Sequence, residues 1–90
     1  MKVAFTEDGW ADYLHWSAND PETLRRINDL IEDARRHPFT GIGRPEPLKG
    51  PLAGFWSRRI TREHRLVYRV SGKAAEDQRI EVAQARYHYG

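Results

Sequence analysis

Asp20-Pro21 and Pro38 bracket a stretch with few options other than a helix. Aspartate suits the capping position and proline the first helical position, where its missing N–H is not needed. Between them Leu24, Ile27, Leu30, Ile31 and Ala34 recur at helical spacing as one apolar stripe. Arg25, Arg26, Asp29, Glu32 and Asp33 are left mostly facing water. Arg35, Arg36 and His37 fall at the helix C-terminus, and Pro38 ends the run. Such a stripe must be buried against another element, and the remaining sequence supplies candidates. Residues 2–5 read as a short strand. Thr6 can cap a first helix, with Glu7 and Asp8 in the turn where the helix dipole favours acids. Trp10, Tyr13 and Leu14 share a face of that helix, and Trp16 lies near it. Residues 55–61 and 65–70 are β-type runs with a tight turn at Arg62-Glu63, and residues 79–89 form a last strand after a polar loop at 71–78. The order β-α-α-β-β-β implies one α+β domain over residues 1–90, with two helices packed on one face of a twisted, antiparallel-rich sheet. Trp10, Trp16, Phe55, Trp56 and Tyr68 are expected in its core, given the area such rings bury.

Charge narrows the function. Residues 1–43 hold five Lys/Arg against eight Asp/Glu, and residues 44–90 hold ten against five, so the halves carry −3 and +5. The second half is the candidate anion-binding surface, although an ordinary solvated distribution gives the same count. The chain has no cysteine. That excludes a disulfide scaffold and a thiolate metal site, and it fits a reducing cytosol. No signal peptide or membrane span is readable, so a cytoplasmic chain is expected.

Residues 38–54 carry Pro38, Pro45, Pro47 and Pro51. A connection of that length is often functional. Glu46 lies between two prolines, which restrict the backbone and would hold its carboxylate in one place. Lys49 follows it. The hairpin brings Arg59 near Arg65, and antiparallel neighbours bring the end of the last strand, with His88, to the same end of the sheet. Arginine suits bidentate phosphate contact. A fixed carboxylate opposite an imidazole suits general base and general acid. Taken alone, these residues fit exposed strand and loop positions with no common target better than a shared site. Tyr87 and Tyr89 alternate with His88 and face opposite to it in a regular strand. His15 and His37 sit on helices, and His64 adjoins Arg65. No pair of histidines has metal-ligand spacing, and no Gly-rich phosphate loop follows a strand, so neither metal nor nucleotide cofactor is expected.

Several of these stretches, in this order, resemble the YoeB/Txe family of bacterial type II toxins within the RelE superfamily. The resemblance covers nearly the whole chain. It runs through Trp10-x-x-Tyr13-Leu14-x-Trp16 and Ile27-Asn28-x-Leu30-Ile31-x-Asp33. It is densest in Gly43-x-Pro45-Glu46-Pro47-Leu48-Lys49, in residues 54–68, and in Ala85-Arg86-Tyr87-His88-Tyr89. It implies a microbial-ribonuclease-like, RelE-like fold and ribosome-dependent cleavage of mRNA in the ribosomal A site, inhibiting translation. It implies a Phd/YefM-type antitoxin partner, contact with operator DNA only through the antitoxin complex, and a possible homodimer. The family's catalytic glutamate falls on Glu46, its arginine on Arg65, its histidine on His88 and its terminal tyrosine on Tyr89. Arg59 and Lys49 would assist at the phosphate. The chain departs from the family in ending on Gly90 rather than on the tyrosine, and in a longer loop at 71–79. Two other classes fit the same residues: a non-cleaving ribosome- or RNA-binding inhibitor, and a co-repressor subunit that only docks its antitoxin. The complete set Glu46, Arg65 and His88 favours the enzyme, because docking needs no paired acid and base.

Overall fold

The computed structural model describes residues 1–73 and 75–87. β1 (Lys2–Phe5) leads into α1 (Glu7–Asn19) and α2 (Pro21–Arg36). β2 (Glu46–Pro47), β3 (Trp56–Arg59), β4 (Arg65–Ser71) and β5 (Arg79–Gln84) follow. The sheet order is β1-β5-β4-β3-β2. β1 runs parallel to β5, and the other neighbouring pairs are antiparallel. The expected α+β arrangement stands, with a two-residue strand at Glu46–Pro47 added at one edge.

The helix ends follow from their caps. Thr6 Oγ1 accepts the Gly9 N–H at 3.1 Å, and the Thr6 N–H reaches across to the Val82 carbonyl at 2.9 Å. Asp20 closes α1 through its own N–H to the Trp16 carbonyl and opens α2 by accepting the Thr23 N–H at 3.1 Å. A bond from Thr23 Oγ1 at 2.7 Å adds to this and holds the Asp20 carboxyl below its usual range. Gly9 lets α1 lie directly on β5, because a Cβ there would collide with the Val82 carbonyl oxygen.

The stripe on α2 does what its spacing requires. Ile27, Leu30 and Ala34 are fully buried against Leu66, Tyr68, Ile80 and Val82 from the sheet. Each large apolar side chain so buried stabilises the fold by about 1.5–3 kcal/mol. Trp16 and Tyr68 are in this core as expected, and Trp56 packs on its edge. Trp10 is not: it and Leu14 are 49% and 48% exposed. Both line an open groove with Val3, Phe5 and Ile31 beside β1, the edge strand, where no described element lies further out to cover them. Trp10 rests instead on Phe5 and Tyr13, with centroids 5.4 and 5.7 Å away.

Two strand ends differ from expectation. β3 stops at Arg59 because residues 60–64 close on themselves: the Ile60 and Thr61 N–H groups both donate to the His64 carbonyl, at 3.0 and 3.3 Å. Thr61 Oγ1 accepts from the Glu63 and His64 N–H groups, so the reversal is wider than a turn at Arg62-Glu63 alone. β5 stops at Gln84 because α1 takes over the next residue. The Ala85 N–H donates to Asp12 Oδ2 at 2.9 Å, and Trp16 Nε1 donates to the Ala85 carbonyl at 2.7 Å. No helix among the described residues is long and apolar enough to cross a membrane.

Candidate active site

Strand register groups the candidate residues. Glu46 pairs with Ser57, Ser57 with Val67, and Arg59 with Arg65. Paired residues share a face, as do residues two apart on one strand. Glu46, Ser57, Arg59, Arg65 and Val67 therefore lie together on the side of the sheet away from the helices. Alternate residues Arg58, Leu66 and Tyr68 point into the core. From Glu46 to Arg65 is two strands across and two residues along, about 12 Å between Cα atoms.

Arg65 is partly committed. Its Nη1 donates to the carbonyls of Thr61 at 2.8 Å, His64 at 3.1 Å and Arg62 at 3.2 Å. This fixes one end of the guanidinium on the 60–64 turn. Arg59 is exposed, and its backbone is held at both ends: its N–H by the Gly43 carbonyl at 2.7 Å and its carbonyl by Arg26 Nη2 at 3.1 Å. Lys49 is exposed and lies beyond the β2–β3 ladder, so register does not bring it into the group. His88, Tyr89 and Gly90 lie outside the described residues.

Glu46 owes its place to a residue that sequence reading gave no role. Arg58 is fully buried. Its Nε donates to Tyr68 Oη at 2.9 Å, and its Nη1 to Asp33 Oδ2 at 2.6 Å and the Ile42 carbonyl at 3.0 Å. Its Nη2 donates to the carbonyls of His37 at 2.6 Å and Thr40 at 2.8 Å. Tyr68 Oη in turn donates to the Pro38 carbonyl at 2.7 Å. One guanidinium thus pins the segment leaving α2. Asp33, expected to face water, is drawn inward as its counter-ion and also accepts the Ile42 N–H at 3.0 Å. The bond from Arg58 holds the Asp33 carboxyl below its usual range, against partial desolvation that pushes the other way. From that anchor the chain turns through Gly43 (φ 79°) and Arg44 (φ 53°) and delivers Glu46 to the edge of β3. Gly43 also packs against Leu30, whose Cδ2 would be 2.5 Å from an added Cβ.

Residues 5–89 match the family model of the YoeB-like toxin of bacterial type II toxin-antitoxin system. The chain belongs to that family. It is 54% identical over 89 residues to toxin YoeB of Streptomyces coelicolor, covering 99% of this chain and 100% of that one. Among solved structures, a YoeB/ParE toxin from Agrobacterium tumefaciens superposes with a TM-score of 0.92 at 56% identity, covering 99% of this chain and 100% of the other. YoeB of Staphylococcus aureus, solved as a dimer, superposes at 0.86 with 39% identity over 99% of this chain and 98% of that one. Its complex with YefM gives 0.85 and 38% over the same shares. The resemblance read from the motifs therefore stands: this is a YoeB-type toxin with the fold of its relatives.

Proposed function

We propose that this toxin is an endoribonuclease that cuts mRNA in the ribosomal A site and so stops translation. The supporting observation is a carboxylate, Glu46, on the same sheet face as a directly opposed Arg59–Arg65 pair. Like charges facing each other across strands repel. A phosphodiester between them turns that repulsion into attraction. In the proposed reaction Glu46 accepts the proton of a ribose 2′-hydroxyl, and the oxygen attacks the adjacent phosphorus. Arg65, aided by Arg59 and Lys49, stabilises the charge that grows on the phosphoryl oxygens. His88 protonates the departing 5′-oxygen, and Tyr89 orients the scissile phosphate or stacks on a base. The products are a 2′,3′-cyclic phosphate and a 5′-hydroxyl. Each acid or base contributes on the order of 10²–10⁴-fold. Side chains of the chain itself move every proton, so the scheme calls for no metal or cofactor.

The S. aureus relatives, one a dimer and one bound to YefM, support a YefM-type antitoxin and a homodimer for this chain too. In this reading an acidic, apolar antitoxin segment covers the basic face and orders as it binds. The toxin meets ribosome and mRNA in the cytoplasm, and operator DNA only through the antitoxin. Primer extension on a translated message tests the proposal. Discrete cuts that vanish on antitoxin addition are expected. A stall without cuts would mean inhibition by occupancy and would refute the nuclease reading.

A further inference from the structure

Tyr87 is held more firmly than its exposure of 59% suggests. Its N–H donates to His64 Nδ1 at 2.7 Å, and its carbonyl accepts the Arg65 N–H at 3.1 Å. Its φ of 57° is left-handed, a region seldom used by residues other than glycine, so the surrounding contacts impose it. His64 can accept at Nδ1 only as a neutral ring with its proton on Nε2. That ring is wedged in place. Trp16 stands edge-on to it at 4.8 Å, and the Tyr87 ring lies at 5.2 Å. Trp16 also holds the Ala85 carbonyl. The segment after β5 is therefore caught at residue 85 by α1 and at residue 87 by the start of β4.

We propose that His64 is a positioning residue whose Nδ1 fixes the peptide from which the chain continues to His88. This rests on the reading of His88 as general acid. His64 adjoins Arg65, so the same backbone that carries the phosphate-binding arginine also holds the segment that carries the acid. A displacement of about 1 Å in such a geometry costs on the order of 10²-fold in rate. The acceptor atom, not the bulk of the ring, carries this role.

Two variants separate those possibilities. His64→Phe keeps a ring between Trp16 and Tyr87 but has no acceptor. His64→Asn loses the ring but can place an oxygen close to where Nδ1 stood. Two measurements apply to each full-length toxin: hydrogen exchange at the Tyr87 amide, and single-turnover cleavage on ribosome-bound message as a function of ribosome concentration. In His64→Phe the amide should exchange at least about 10-fold faster, and the saturating rate should fall about 10–100-fold, with half-saturation within about 3-fold of wild type. His64→Asn should recover most of the rate. Equal rates for His64→Phe and wild type, or a His64→Asn variant as slow as His64→Phe, would overturn the proposal. A wild-type toxin that cuts no RNA would overturn the nuclease reading and the catalytic half of this inference. Amide exchange would then still decide whether the clamp exists.

Discussion

Replacing Arg58 by methionine should be among the most damaging single changes in this chain. Methionine is unbranched and apolar and fills much of the same space, so the loss is mainly electrostatic rather than a cavity. The guanidinium donates to Tyr68 Oη, Asp33 Oδ2 and the carbonyls of His37, Thr40 and Ile42. These losses are unequal. The charge-assisted bond to Asp33 is worth about 1.5–3 kcal/mol. Tyr68 keeps its donation to the Pro38 carbonyl, and the three loop carbonyls belong to exposed residues that can turn to water. Together these smaller terms add about 1–2 kcal/mol, for a total of about 2.5–5 kcal/mol. In a domain of this size each kcal/mol lowers Tm by about 4–8 °C, so a drop of about 10–40 °C is expected. Thermal and urea unfolding followed by circular dichroism measure it. Adding Asp33→Leu to Arg58→Met should cost less than the sum of the two single changes, because an apolar pair leaves no stranded charge. An Arg58→Met protein that melts within about 5 °C of wild type, or strictly additive costs, would refute the reasoning.

Three further outcomes are expected. The Asp33 carboxyl is lowered from 3.8 in the folded state, chiefly by its bond from Arg58, so its contribution to stability is complete above the unfolded value and fades as pH falls through the lower folded one; urea midpoints between about pH 2 and 6 should decline on the acid side, less steeply in Asp33→Asn, with a remainder because Asp20 and Glu32 are lowered too. Gly43→Ala should lose about 1–2 kcal/mol in the same assay, since alanine at φ 79° is strained and its methyl presses on Leu30. Glu46→Gln should slow single-turnover cleavage by about 10²-fold or more with ribosome affinity near wild type, whereas Arg65→Ala should weaken both, because the arginine meets phosphate before and during the reaction.

The fold was legible wherever a local signal was complete. Asp20-Pro21 opens α2 and Asp20 caps it through Thr23, and the stripe from Leu24 to Ala34 faces the sheet. Trp10 and Leu14 carry an equally regular helical spacing but stay exposed, because periodicity identifies an apolar face and says nothing of whether the sheet extends far enough to cover it. The end of β5 was unreadable for a similar reason. Residues 85–87 continue the β-type composition, but their partners are Asp12, Trp16, His64 and Arg65, which come from two other places in the sequence. Of the candidate site, Arg59 and Arg65 followed from the hairpin alone, and Glu46 from a proline-flanked loop that proved to be a short strand. The group around Arg58 left no mark, since its acceptors are mostly main-chain carbonyls, which every sequence possesses.

The adjacent arginines of β3 show what alternation alone can decide. Arg58 and Arg59 differ by one position, so they point to opposite faces of the sheet. The inward one has every nitrogen committed and no access to solvent, which removes it from any role at a phosphate. The outward one stands across from Arg65, in an arrangement that gains from an anion. The two duties remain coupled through the backbone. Arg58 fixes the segment at 37–42, Gly43 carries that order onward, and the Gly43 carbonyl takes the Arg59 N–H at 2.7 Å. The chain then reaches Glu46, which pairs with Ser57, the residue just before Arg58. The buried cation therefore orders the segment that leads to Glu46, while strand register places Glu46 relative to the exposed arginines.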